Sequence, residues 1–269
     1  MSASAILIIS ALFHATWNAI LKRSLHKLGA ALAFMIVATG LNATFAAMTA
    51  TFPPLSIPLL GATVAAGLFE GVYFYLLNTA YAKQSLGVAY TIMRGGSMVL
   101  VWMISTVSLG ESIGSREILA VLTILGGIAC IQRTFQPSEF FSSGAYAAYA
   151  CAACIAGYHI CYGLAVRTGA APSIVFSAAM SVGVVTYIAC SRGTSLRQLY
   201  ASFTGERRLV LLGGASCGLS FLLFLTALTI VEPGRAISLR NTSVVFGAAL
   251  SLLMGERLKR IQTFGVVLV

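Results

Sequence analysis

The sequence predicts an all-α membrane protein made from an internal duplication, and three observations carry that expectation. The first is composition: of 269 residues, 58% are hydrophobic and only 9% charged, with a mean hydropathy of +0.92. A soluble domain carries about a quarter charged residues, so this chain lacks the polar surface to cover itself. The second is length: apolar runs of about twenty residues, enough to cross a bilayer core, recur along the whole chain. The third is an echo. GVAYTIMRGGSMVLVWMISTVSLGE (87–111) returns as GRAISLRNTSVVFGAALSLLMGE (234–256), each with Gly, Ala two residues on, Arg, Ser three residues after the Arg, and a closing Gly-Glu. A membrane β-barrel would read as short alternating segments, which this sequence does not contain.

Charge clusters and Pro/Gly punctuation divide the chain into ten apolar segments, at 3–21, 29–50, 57–81, 86–109, 117–133, 143–165, 171–190, 208–231, 235–254 and from 261 onward. Each of the first nine is long enough to span as a helix at 1.5 Å per residue. The tenth, Ile261 to Val269, reaches only about 13 Å, so the expectation is a ten-helix chain whose last helix is incomplete, through truncation. No basic region precedes the first apolar run, so it is not read as a signal peptide. The polar stretch 134–143 separates two units, 1–134 and 143–269.

The two units correspond. Gly67, Gly71, Thr79, Ala80 and Gly87 recur as Gly214, Gly218, Thr226, Ala227 and Gly234, each 147 residues later. His14 falls on His159, Trp17 on Tyr162 and Lys22 on Arg167, with an offset of 145. Segments one to five thus match six to ten. Five is odd, so the second copy enters the membrane from the opposite side, an inverted repeat of the kind secondary transporters use. Loop charges agree. One face collects twelve cations (Lys22, Arg23, Lys27, Lys83, Arg133, Arg192, Arg197, Arg207, Arg208, Arg257, Lys259, Arg260) and the other only Arg116, Arg167 and Arg235. By the positive-inside rule the first loop is cytoplasmic and the N-terminus lies outside, with the bacterial cytoplasmic (inner) membrane as the expected location. The net charge of +10 is thereby assigned to orientation rather than to nucleic acid.

Charge inside a bilayer is costly and marks a pathway or a buried pair. Glu70, Arg94 and Arg240 qualify. Glu70 sits mid-way along the third segment and Arg94 two turns into the fourth, at depths that let long side chains meet; the pair is read either as a structural ion pair or as cavity lining. Arg240, one turn into the ninth segment, is placed close enough to snorkel to the interface or, with Asn241 and Ser243, to offer donors to an anion. Helical spacing gathers His14, Trp17 and Asn18 on the first helix, Glu70 and Tyr73 on the third, Tyr90, Arg94 and Ser97 on the fourth, and Tyr158, His159 and Tyr162 on the sixth. Such a mix suits an organic solute better than a bare ion, and each residue is read alternatively as a satisfied helix–helix hydrogen bond. Gly67/Gly71 and Gly214/Gly218 are read as packing motifs for close approach of the third and eighth helices, and Glu111 and Glu256 as structural helix-end residues.

Together ALFHATWNAILK, AYTIMRGGS, the Gly-Glu at Glu111 and RNTSVVFGAALSLLMGERL resemble the EamA-type transporters of the drug/metabolite transporter superfamily, and within them a small-metabolite, phosphonate-associated permease-like branch. The resemblance covers essentially the whole chain. It implies ten helices in two inverted five-helix repeats around a central cavity, and movement of small organic metabolites, often as efflux. Two departures stand out. Members often carry an acidic residue near the end of the sixth helix, where this chain has Cys161-Tyr162-Gly163. They are also commonly described with cytoplasmic termini, against the charge count here.

All seven acidic residues are glutamates, which removes aspartyl-protease chemistry and any aspartate relay. Cys151 and Cys154 form one CxxC with no second pair nearby, read as small buried hydrophobes rather than a metal or redox site. No catalytic residue, metal or cofactor is expected. The partners expected are a small-molecule substrate, with proton coupling as an option, and the lipid bilayer, in a monomer or homodimer. The rival readings are a non-transporting scaffold or receptor, a channel, for which no filter-like sequence is present, and an intramembrane enzyme.

Overall fold

The computed structural model describes residues 2–49, 54–83, 86–112, 114–132, 141–253 and 260–268. Among them the regular structure is helical: α1 (Ala3–Arg23), α2 (Lys27–Thr49), α3 (Ile57–Lys83), α4 (Leu86–Leu109), α5 (Ser115–Gln132), α6 (Ser143–Val166), α7 (Pro172–Cys190), α8 (Thr194–Gly205), α9 (Arg207–Leu228), α10 (Pro233–Arg240), α11 (Ser243–Leu253) and α12 (Arg260–Leu268). Six of these, α1, α2, α3, α6, α7 and α9, are long and apolar enough to cross a membrane, and Ile92–Ser108 and Ile118–Gly127 are shorter apolar stretches. Large apolar side chains such as Leu41, Phe45, Met48, Leu60, Val185 and Leu212 are exposed on the outside. A bilayer tolerates that surface and water does not, so the chain is an integral membrane protein.

Local sequence explains the ends. Ser2 and Ser142 cap α1 and α6 by accepting from the Ala5 and Ala145 amides, and Pro172 and Pro233 open α7 and α10 at the position where a missing N–H costs nothing. Within the helices Thr16, Thr39, Thr79, Thr186 and Thr226 each donate to the carbonyl four residues back, so their hydroxyls are satisfied without water.

Two features differ from the ten-segment expectation. The stretch 191–208, expected as a loop, contains α8, which packs mainly on α2. The ninth segment, expected as one helix, is two. It breaks at Asn241-Thr242, where the Asn241 and Thr242 amides bond to Ser238 and Leu239 and the Val244 and Val245 amides to Asn241 and Thr242. These tighter three-residue spacings fall on Arg-Asn-Thr-Ser, a polar run whose short side chains compete for backbone groups.

Glycines set the closest helix contacts. A Cβ on Gly67 would lie 2.2 Å from the Ala179 carbonyl oxygen, and one on Gly71 2.5 Å from that of Gly183, so α3 meets α7 backbone to backbone. A Cβ on Gly214 would meet Val37 at 2.5 Å, and one on Gly218 would meet Asn42 at 2.8 Å and Ala38 at 3.1 Å, which puts α9 on α2. The other large contacts are α3 with α6, α1 with α9, α4 with α6, α1 with α10 and α11, α2 with α7, and α5 with α12. α3 and α4, neighbours in sequence, hardly touch.

The loops gather at two ends. At one, the Leu25 amide donates to Glu206, Ser202 to the His26 carbonyl, and Tyr187 to the Leu28 carbonyl. At the other, Glu111 accepts from Ser105 and from the Gly234 amide at 3.1 Å, and Arg167 pairs with Glu232.

Candidate functional site

The centre of the fold is polar, and its side chains come from α1, α3, α4, α6, α9 and the α10–α11 break. Arg240, the last residue of α10, has no exposed surface, which corrects the expectation that it reaches the interface. α10 starts at the end of the fold where Glu111 accepts from the Gly234 amide, and its helical stretch of about 10 Å carries the guanidinium into the core. There Nη2 lies 3.1 Å from Ser220 Oγ and 3.3 Å from His14 Nδ1, and Nη1 lies 3.5 Å from His159 Nε2. The guanidinium carbon sits 4.3 Å from the centre of the Phe224 ring and 4.7 Å from that of Phe221, at cation–π distance.

The two histidines, 145 residues apart in sequence, thus face one cation. His159 Nδ1 bonds to the Ile155 carbonyl at 2.6 Å, which fixes that nitrogen as the donor and leaves Nε2 to accept from Arg240. His14 is placed otherwise. Its Nδ1 faces Arg240, and its Nε2 faces the Asn18 amide nitrogen at 3.1 Å, an amide that also donates to the His14 carbonyl at 2.9 Å. Both partners are donors, while a neutral imidazole has one acceptor nitrogen, so the ring cannot satisfy both. Ser10 and Ser220 brace this crossing of α1 and α9 by donating to one another's carbonyls at 2.7 and 3.0 Å.

Glu70 is fully buried and accepts from the Tyr162 hydroxyl through Oε2, while Oε1 has no hydrogen-bond partner. The partner of this carboxylate is therefore Tyr162 of α6, not Arg94, because α3 packs on α6 and splays away from α4. Tyr73, Tyr158 and Tyr162 form a ring cluster beside it, with Tyr73–Tyr158 centroids 5.5 Å apart and Tyr158 stacked on His159 at 4.6 Å. Trp17 meets His14 edge-on at 5.0 Å, and its Nε1 has no partner.

Arg94 is buried in α4, and Ser97 donates to its carbonyl at 3.2 Å. With His14, Asn18, Tyr73, Leu77 and Tyr81 it lines a pocket with room for about one water molecule. Tyr73, Leu77 and Tyr81 are four residues apart, as are His14 and Asn18, so the pocket follows one stripe of each helix toward the ends that carry Lys83 and Lys22. Asn241 is buried; its amide nitrogen faces Met98 Sδ at 3.2 Å and its Oδ1 has no partner.

The structure therefore brings together Glu70, Tyr73, Tyr158, His159, Tyr162, His14, Trp17, Asn18 and Arg240, and places Arg94 on the neighbouring pocket. The side chain of Tyr90, and Glu256, lie outside the described residues. Sequence reasoning missed Ser220, Phe221 and Phe224 of α9. Their signal was present, since 220, 221 and 224 share a helical face with Cys217, which lies 147 residues after Glu70, the spacing of the recurring glycines. Glu111 sits elsewhere, its carboxylate at the positive N-terminal end of α10. Cys151 and Cys154 are free and buried, and among the described residues no group of His, Cys or Glu is placed to hold a metal ion.

Residues 142–269 match the EamA-like transporter family, whose members are membrane transporters. A solved crystal structure of another protein superposes with a TM-score of 0.75, over 100% of this chain and 95% of the other, at 16% sequence identity. That likeness is one of fold.

Proposed function

We propose that the chain is a secondary transporter that moves a small organic metabolite by alternating access through a cavity between two inverted five-segment repeats, 1–134 and 143–269, with export as one option for its direction. The observation that carries this reading is the exchange of packing partners. α3 rests on α6 and α7 as α9 rests on α1 and α2; α4 rests on α6 as α10 and α11 rest on α1; α2–α7 and α5–α12 map onto themselves. Swapping segment n for segment n + 5 leaves these contacts in place, as expected for a pseudo-two-fold between inverted halves; α8, which packs on α2, has no counterpart among the described residues. The central polar cluster lies across that relation, with His14 and His159 meeting at one arginine, and with a broken helix where backbone at membrane depth is tolerated only in a cavity or inside protein.

The two ends differ in a way that supports one gate closed and one path part-open. Near α10 the helix starts are tied by Glu111 to the Gly234 amide, by Trp102 Nε1 to Ser238 at 2.9 Å, and by Arg167 to Glu232. Toward Lys22 and Lys83 the pocket beside Arg94 runs outward to the half-buried Tyr81. The substrate path is read as His14, Trp17, Asn18, Glu70, Tyr73, Tyr90, Arg94, Ser97, Tyr158, His159, Tyr162, Arg240 and Asn241, in the bacterial cytoplasmic membrane with the first loop cytoplasmic. Glu70, with one oxygen unpartnered, is the candidate proton carrier, and the working unit is a monomer or homodimer.

The test is flux. Proteoliposomes holding the full chain are expected to exchange labelled small metabolites, and Glu70→Gln or Arg94→Ala to abolish exchange while inserting normally. Normal flux in both variants removes these residues from the path. A chain that inserts and folds yet exchanges no solute class supports the scaffold reading instead.

A further inference from the structure

The central cluster is rich in donors and poor in negative charge. A guanidinium with no exposed surface is ordinarily matched by a carboxylate, because an uncompensated buried charge is strongly unfavourable. Arg240 has instead two imidazoles, one hydroxyl and two aromatic rings, with no carboxylate within 4 Å among the described residues. Its Nε has no partner, and neither has Trp17 Nε1. His14 meets a donor at each ring nitrogen where it can accept at only one. Arg94 adds a second buried cation to the same core, and Glu70, the acid at its edge, is committed through one oxygen to Tyr162.

We infer that Arg240 is the anchor of a subsite for the anionic group of the transported solute, an organic monoanion of carboxylate type. This deepens the transporter reading and rests on it for the word transported. His14 supplies the route. It is both a wall of the pocket beside Arg94 and a partner of Arg240, so an anion entering that pocket reaches the guanidinium by taking the place of the His14 ring. The exchange replaces a neutral acceptor with a charged one, relieves the doubled donors around His14, and fits the planar fork of arginine, which grips a carboxylate through two parallel bonds. Phe221, Phe224, Tyr73 and Tyr158 then flank the apolar body of the solute.

The experiment measures binding and stability of the purified full chain in neutral-lipid nanodiscs, with no gradient. The probes are acetate, benzoate and phenylacetate, each beside its amide, with benzylamine as the cation. The carboxylates are expected to raise the melting temperature and change Trp fluorescence through Trp17, and the amides and benzylamine to do neither. Arg240→Gln is expected to lose carboxylate affinity at least tenfold, and Arg240→Lys, which keeps charge but not the fork, to lose less. In the absence of any probe Arg240→Gln is expected to melt higher than the parent, since it removes an unmatched buried charge. No carboxylate-over-amide preference across the panel, parent-like carboxylate binding by Arg240→Gln, or a lower melting temperature for that variant without probe overturns the inference. Carboxylate binding without flux in proteoliposomes would remove the transporter reading and leave the subsite standing, whereas flux with no carboxylate preference does the reverse.

Discussion

Replacing single glycines by alanine along α3 gives a test in which the structure fixes the sign at each position. At Gly61, which is exposed, a new Cβ meets nothing within 4 Å. There alanine only removes backbone freedom from the unfolded chain and improves helix propensity, a gain of up to ~1 kcal/mol. At Gly67 the same methyl would stand 2.2 Å from the Ala179 carbonyl oxygen and 2.7 Å from Val182 Cβ, and at Gly71 2.5 Å from the Gly183 oxygen. Ordinary contact begins at about 3.4 Å, so α3 and α7 must separate by about 1 Å. Two packed backbones have no flexible side-chain tip to yield. Overpacking of this kind costs ~1–3 kcal/mol, with the upper end expected here, and the displaced helix also carries Glu70 away from Tyr162. The assay is thermal unfolding of the full chain in one detergent. Gly61→Ala should melt at or above the parent and Gly67→Ala and Gly71→Ala well below it, with Gly214→Ala lower through Val37 and the exposed Gly40→Ala neutral. Equal behaviour of Gly61→Ala and Gly67→Ala would refute the α3–α7 contact, and with it the placement of Glu70.

Tyr162→Phe removes the one hydrogen bond that Glu70 makes among the described residues and leaves its buried carboxyl with neither oxygen bonded to them, so it should destabilise the protein by ~2 kcal/mol. Glu70→Gln keeps an acceptor for the tyrosine and should melt closer to the parent; the opposite order in thermal unfolding would show that the two side chains do not meet. Glu111→Ala takes the carboxylate from the Gly234 amide and the start of α10, for an expected loss of ~1 kcal/mol and faster solute leak in counterflow measurements. Glu111→Gln retains an acceptor and should lie between. Unchanged leak and unchanged melting in Glu111→Ala would remove that carboxylate from the closed end.

Hydrophobic length and composition made the membrane class legible, because spanning a bilayer leaves a signature that tertiary packing does not alter. The helix faces were legible too, since His14 with Asn18, or Tyr158 with Tyr162, follow from 3.6-residue periodicity alone. What tertiary packing decides was less accessible. Glu70 was matched with Arg94 because a short loop joins their helices, yet a hairpin of membrane helices is free to splay, and the close neighbours of α3 are α6 and α7. Arg240 was placed by counting from the apolar edge of its segment. That count cannot show that α10 runs inward from Glu111 to a break at the buried Asn241. The helix α8 was passed over because only membrane-length apolar runs were sought, although Leu199 and Phe203, four residues apart, turn one of its faces to the core. The break after Arg240 had a local signal in Arg-Asn-Thr-Ser, a polar run in an otherwise apolar span.

In the proposed duplication the asymmetries bear more on function than the regularities. Gly67/Gly71 and Gly214/Gly218 occur in both halves and hold helices together, so any symmetric bundle would need them. Glu70 stands opposite Cys217, Tyr73 opposite Ser220, and the continuous α4 opposite the broken α10–α11. These departures converge on one place, the space between the two histidines. A strictly symmetric site would offer Arg94 and Arg240 the same surroundings and bind a solute equally in two reversed poses. Here one arginine is boxed by Phe221, Phe224 and Ser220, while the other faces Tyr73, Leu77 and Tyr81 along a pocket, and a lone carboxylate marks one side. On the proposed transporter reading, these unlike surroundings favour one orientation of a polar solute over its reverse.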